Sequence, residues 1–79
     1  MFQVNIDRLC EEMKRQHGSP IVARSEARRF TGGAISPGYL ANLDSQGKGP
    51  AGRFKIGRKT MYPVDQFCKW IVDRASMEG

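Results

Sequence analysis

The sequence has few of the side chains that metal sites and enzymes depend on. It contains one histidine and two cysteines, and their number and spacing do not fit a zinc site. No window approaches the roughly 18 consecutive apolar residues of a membrane-spanning helix. The glycine pairs at Gly32-Gly33 and at Gly47-Lys48-Gly49 lack the strand-to-helix context of a phosphate-binding loop. We therefore expect a protein without catalytic residues, bound metal or cofactor, and without membrane attachment.

The N-terminal segment does not read as a secretory signal. Asp7, Glu11 and Glu12 interrupt it within an amphipathic pattern, whereas a signal peptide carries an uninterrupted apolar stretch. A cytoplasmic location is the expectation that follows. Cys10 and Cys68 are then expected to be free thiols that pack as small apolar groups, although a disulfide between them stays open at this point.

Positive charge is concentrated in the middle of the chain. The net charge is +5, and residues 1–18 contribute none of it because three acids balance three bases. Residues 19–62 hold eight bases against Glu26 and Asp44, which gives +6, and residues 63–79 contribute −1. A basic stretch of this kind is typical of proteins that bind a polyanion.

Hydrophobic periodicity and turn residues predict four helices and one hairpin in a single domain, residues 1–79. Ile21 and Val22 are expected to form a short extended piece between the first two helices. The expected elements are a helix over 4–17, a helix over 24–30, a helix over 37–45, a hairpin over 53–62 and a helix over 63–75. The predicted fold is mostly α with a small β-hairpin, in the order helix–helix–helix–hairpin–helix. This order describes a winged helix-turn-helix, with residues 1–20 as the N-terminal helix, 21–62 as helix-turn-helix plus wing and 63–79 as the C-terminal helix.

The third helix carries the residues expected to read DNA bases. In a helix-turn-helix the second helix of the motif, here 37–45, lies in the major groove. Ser36 caps this helix, and Gly38 lets its first amides come close to a phosphate. Tyr39 and Asn42 lie away from the leucine stripe, where asparagine can pair with adenine and tyrosine can contact phosphate or a thymine methyl group.

Basic residues around this helix are expected to contact the DNA backbone. The hairpin supplies Arg53, Lys55, Arg58 and Lys59, with Phe54 and Ile56 on its opposite, apolar face. The expected set of DNA-binding residues is completed by Arg28, Arg29 and Lys48. Arg24 is assigned to solvent or phosphate, and four aromatic residues are assigned to the core: Phe30, Phe54, Phe67 and Trp70. The alternative for the hairpin is a solvated surface whose charges prevent aggregation at a sheet edge.

Several short motifs in a fixed order also resemble the excisionase-like winged-helix family. They are Arg24-Ser25-Glu26-Ala27, Thr31-Gly32-Gly33-Ala34-Ile35-Ser36-Pro37, Leu40-Ala41-Asn42, Gly47-Lys48-Gly49-Pro50, Ile56-Gly57-Arg58-Lys59, Tyr62, and Phe67 with Trp70-Ile71. The resemblance covers about residues 21–75. Ala23 departs from the family, whose members often carry a capping serine or threonine there, and the helix at 4–17 lies outside the common core. The family includes phage excisionases and AlpA-type prophage regulators.

The resemblance implies specific binding to double-stranded DNA, often by several cooperating copies or a homodimer. The role would be prophage excision together with an integrase or recombinase, or control of a nearby promoter. Two other interpretations remain open from the residues alone. The chain could be a protein-interaction module that recruits a recombinase or another phage protein through the helix at 4–17, or the DNA-recognition part of a small terminase subunit.

Overall fold

The structure, a computed structural model, describes residues 5–75 of the chain. Its helices are α1 (Ile6–His17), α2 (Ala27–Phe30), α3 (Pro37–Ser45) and α4 (Val64–Arg74), with one 3-10 turn at Arg24–Glu26. Its strands are β1 (Ile21–Ala23), β2 (Phe54–Ile56) and β3 (Lys59–Pro63). Val4, where the first helix was expected to begin, lies outside the described residues.

The three strands form one antiparallel sheet in the order β1-β3-β2. Val22 of β1 lies opposite Tyr62 of β3, and on the other side Lys55 of β2 lies opposite Thr60 of β3. The sheet therefore joins a segment that follows α1 to a hairpin much later in the chain.

The expected fold class and element order are wrong. The fold is mixed α/β in the order helix, strand, short helices, helix, hairpin, helix, because the extended piece at Ile21 and Val22 is a paired strand. Its pairing partner is distant in sequence, so no local pattern distinguishes this three-residue strand from a loop. The expected helix over 24–30 is also divided into a 3-10 turn and a single α-helical turn, since Ala23 has no side chain that could cap a longer helix.

Helix ends that depend on local residues are confirmed. The Asn5 side chain accepts a hydrogen bond from the Arg8 amide at 3.2 Å, and Gly18 ends α1 with φ of +72°. Ser36 Oγ accepts a hydrogen bond from the Tyr39 amide at 3.1 Å, and Pro37 begins α3. Cap and stop residues act within one helical turn, which is why the sequence alone reveals them.

The core is built around Phe67, which is fully buried. Its ring meets Phe30 at 5.3 Å, Tyr62 at 5.4 Å and Trp70 at 5.8 Å between centroids, in each case edge to face. The expected core positions of Phe30, Phe67 and Trp70 are thus confirmed. Phe54 is not in the core, because 40% of it is exposed.

The two cysteines are free thiols buried between α1 and α4. Cys10 Sγ donates to the Cys68 carbonyl at 3.7 Å, and Cys68 Sγ donates to the Cys10 carbonyl at 3.6 Å. Burial raises the pKa of the Cys68 thiol to about 12, so it stays protonated at neutral pH. The expected role as small packed groups is confirmed. Within residues 5–75, every helix is too short or too polar to cross a lipid bilayer.

Candidate nucleic-acid interface

Helix α3 presents one polar ridge to solvent. Leu40, Leu43 and Asp44 are buried on one side of it. Residues advance by about 100° along an α-helix, so the opposite side carries Gly38, Asn42 and Ser45, and all three are exposed. Asn42 lies near the centre of this ridge with its amide group available to an outside partner.

The first turn of α3 is open to close approach. Gly38 is exposed, and a methyl group added to it would meet no other atom within 4 Å. Its φ is not positive, so neither backbone strain nor internal packing requires glycine at this position. The lack of a side chain therefore leaves space for something outside the chain.

Tyr39 lies beside the ridge, next to Arg74 of α4. It is 45% exposed, and its hydroxyl accepts a hydrogen bond from the Arg74 guanidinium at 3.4 Å. The same guanidinium lies 4.7 Å from the centroid of the Trp70 ring, as in a cation–π pair. Arg74 thus adds a positive charge next to α3. We did not expect Arg74 here, because only packing of α4 against α3 brings it near Tyr39.

A buried polar network fixes α3 to the sheet. Asp44 of α3 is 4% exposed and accepts a hydrogen bond from Arg24 at 2.6 Å and another from the hydroxyl of Tyr62 on β3. Arg24 also donates to the Tyr62 hydroxyl at 3.0 Å. Burial, followed by the hydrogen bond to Asp44, raises the pKa of Tyr62 to about 12. Assigning Arg24 to solvent or phosphate is therefore wrong, because its guanidinium is a structural partner of Asp44.

The hairpin lies beside the Ser45 end of α3. Gly57, with φ of +62°, occupies the first position of the two-residue turn, as a type II′ hairpin turn requires. An open cleft of about 350 Å³ separates hairpin and helix, and its lining includes Ser45, Arg53 and Lys55. Basic side chains thus stand directly next to the polar ridge.

The two faces of the hairpin are reversed from the expected arrangement. Thr60 and Tyr62 of β3 point inward and are buried, and Lys55 shares their face because it lies opposite Thr60. Phe54 and Ile56 consequently lie on the outer face and are 40% and 55% exposed. The side chains of β2 do alternate between two faces, as expected. Which of them face inward is set by the pairing with β3 rather than by hydrophobicity.

The other predicted DNA-binding residues are exposed, but only some of them lie near α3. Lys48 follows α3, and its carbonyl accepts a hydrogen bond from Trp70 Nε1 at 2.9 Å. Arg58 and Lys59 lie at the hairpin turn. Arg28 and Arg29 are exposed on α2, where Arg29 pairs with Glu26 at 2.9 Å and borders a groove with α1. Their expected DNA role stays a prediction.

The segment that contains the ridge's C-terminal end and the hairpin carries charge of one sign. Residues 45–64 include no aspartate or glutamate, and their five basic residues are Lys48, Arg53, Lys55, Arg58 and Lys59. All five are exposed. Summed positive charge on one exposed surface attracts polyanions and repels other basic surfaces.

No protein-family model matches the chain, and no curated protein matches it. Function is therefore inferred from the geometry and charge of this surface.

Proposed function

We propose that this protein binds double-stranded DNA sequence-specifically, with α3 in the major groove and the hairpin on the backbone or in the adjacent minor groove. One observation carries the proposal: the exposed polar ridge of α3 has cations on both sides. Arg74 stands on the Tyr39 side, and Arg53 and Lys55 stand on the Ser45 side. A major groove has the same layout, with base edges at its floor and a row of phosphates on each rim.

The dimensions and chemistry of α3 suit this placement. An α-helix with its side chains is about 10–12 Å across, which fits a groove about 12 Å wide, and the nine residues of α3 extend about 13.5 Å within it. Asn42, in the middle of the ridge, is the residue that reads a base, and a bidentate asparagine–adenine pair is the expected contact. The Gly38 amide, which the missing side chain leaves accessible, binds a phosphate, because Pro37 has no N–H and the Tyr39 amide is already bonded to Ser36 Oγ.

The hairpin and the loop before it supply most of the binding energy. Each cation that neutralises a phosphate releases counterions, so affinity falls steeply with added salt. Arg53, Lys55, Arg58 and Lys59 fill this role at the hairpin, and Lys48 fills it at the end of α3. These contacts set the register of the protein on DNA without reading the sequence.

The resemblance to excisionases and AlpA-type regulators leads us to propose a phage- or prophage-encoded role. Bound copies would act together on neighbouring sites, either with an integrase during excision or at a promoter. Both roles use the same DNA-reading surface, so the biochemical proposal is common to them.

Selection of bound duplexes from a random library, followed by affinity measurements at two salt concentrations, tests the proposal. Wild-type protein should enrich one sequence and lose affinity as salt is added. Asn42→Ala should reduce the gap in binding free energy between the selected and random duplexes by about 1–3 kcal/mol, and the loss should come from one base position. Arg8→Ala on the exposed surface of α1 is the matched control and should leave that gap unchanged. If Asn42→Ala instead lowered the affinity for all sequences by the same factor, the base-reading role of Asn42 would be refuted.

Recruitment of another protein is a second candidate, and a groove between α1 and α2 favours it. Leu9 is 49% exposed there and lines the groove with Met13, His17 and Phe30. Binding through such an apolar groove would depend little on salt, whereas DNA binding depends on it strongly. Absence of DNA binding at low salt would overturn the DNA proposal and leave this groove as the functional surface.

A further inference from the structure

Phe54 and Ile56 form an exposed apolar pair on the hairpin. They are 40% and 55% exposed, and no part of the chain between residues 5 and 75 buries them. Cross-strand pairing places Phe54 opposite Met61 and Ile56 opposite Lys59, so both side chains lie on the outer face of the sheet. They belong to β2, a strand at the edge of the sheet. Exposed apolar residues on an edge strand promote aggregation unless they serve a contact.

The charges around this pair indicate the chemistry of that contact. Lys59 lies opposite Ile56 on the same outer face, and Arg58 follows Ile56 in the turn, whereas Lys55 lies on the inner face. With no carboxylate in residues 45–64, a second copy of this surface would be repelled. The partner must offer dense negative charge and an apolar surface close together. A DNA minor groove does so, because phosphates line both rims and the stacked bases lie between them.

We propose that the tip of the hairpin enters the minor groove and that Ile56 presses against a base-pair step and partly unstacks it. The proposal rests on the DNA-binding function proposed above and assigns one of its contacts. Ile56 is the last residue of β2 before the Gly57-Arg58 turn, so it lies at the tip of the hairpin. Phe54, about 6–7 Å behind it along the strand, borders the cleft next to α3 and contacts the sugar edge of the groove. Arg58 and Lys59 neutralise the phosphates of the two rims.

A pair of variants with the same shape isolates the apolar contact. Valine and threonine have nearly equal volume and both suit a strand, but threonine replaces a methyl group by a hydroxyl. On the selected duplex, Ile56→Val should bind nearly as tightly as wild type, and Ile56→Thr should bind about fivefold more weakly. The salt dependence should be the same for both, because neither removes a charge. Arg58→Ala, in contrast, should lower the salt slope by about one phosphate contact.

Unstacking is measured directly with 2-aminopurine placed at successive steps of the selected duplex. Fluorescence should rise at one step with wild type and with Ile56→Val, and should rise much less with Ile56→Thr at saturating protein. Thermal denaturation should show equal stability for the three proteins, since the side chain is exposed.

Unchanged affinity of Ile56→Thr, together with no fluorescence rise at any step, would overturn the inference. Salt-dependent, sequence-selective binding would persist in that case, so the DNA-binding function would still stand. The inference would also be overturned if the free protein self-associated and Ile56→Thr abolished that association. The same holds if the protein bound phosphatidylglycerol vesicles and Ile56→Thr abolished that binding. In these cases Ile56 would serve a second copy or a lipid surface.

Discussion

Gly49→Ala should destabilise the fold because there is no room for a methyl group beside Asp44. A Cβ built on Gly49 would overlap the Asp44 Oδ1 atom and would stand 2.9 Å from its Cγ. The carboxylate cannot simply turn away, since Arg24 at 2.6 Å and the Tyr62 hydroxyl hold its other oxygen. The substitution therefore forces either the loop or the network to move.

The size of the effect follows from these contacts. Overpacking a buried position costs about 1–3 kcal/mol, and disturbing hydrogen bonds to a buried charge adds about 1.5–3 kcal/mol if the carboxylate moves. Movement of the loop and movement of the carboxylate partly replace each other, so their costs do not simply add. We therefore expect the free energy of unfolding to fall by about 2–4 kcal/mol. A domain of this length has a free energy of unfolding of about 4–12 kcal/mol, so the loss is a large part of it and the melting temperature should fall by at least about 8 °C.

Urea and thermal denaturation followed by circular dichroism measure this loss. Combining Gly49→Ala with Asp44→Ala removes the overlap, so the double variant should be about 2 kcal/mol more stable than the sum of the two single effects predicts. A melting temperature of Gly49→Ala within 2 °C of wild type, or strict additivity in the double variant, would refute the packing described for Asp44.

Three further predictions concern other positions. Gly38→Ala should raise the free energy of unfolding by about 0.5–1 kcal/mol, because alanine is the better helix former, yet it should weaken DNA binding by obstructing the first turn of α3. Stronger or unchanged binding would argue against a close phosphate there. In wild type the raised pKa of Tyr62 contributes stability that is complete below pH 10 and disappears as pH rises through about 12. Tyr62→Phe should therefore be less stable at pH 7 and should lose less of its stability between pH 9 and 11.5 in urea titrations, and parallel curves would contradict this. Trp70→Ala should cost about 3–5 kcal/mol by removing a core side chain and the bond to the Lys48 carbonyl, and retained thermal stability would refute that core position.

Features that depend on neighbouring residues could be predicted from the sequence. The Ser36-Pro37 start of α3, the end of α1 at Gly18 and the turn at Gly57-Arg58 each involve contacts within a few residues. The amphipathic pattern likewise predicted that Leu40 and Leu43 are buried and Asn42 exposed. Most of the candidate interface follows from these local signals.

Features that depend on tertiary contacts could not be predicted. The strand at Ile21–Ala23 exists only through its pairing with β3, and that strand also decides which face of the hairpin is outward. The sequence does not indicate that Asp44 is buried, because its partner Arg24 is on another element. Arg74 reaches Tyr39 only because α4 packs beside α3. No spacing along the chain signals these encounters.

Mapping the DNA contact by NMR is the most direct test of the proposed interface. Titration of ¹⁵N-labelled protein with the selected duplex should shift amide signals of residues 36–46 and 53–60, with smaller changes along α1. Shifts concentrated at α1 and α2 around Leu9 and Arg29, with none in α3, would contradict the interface proposed here.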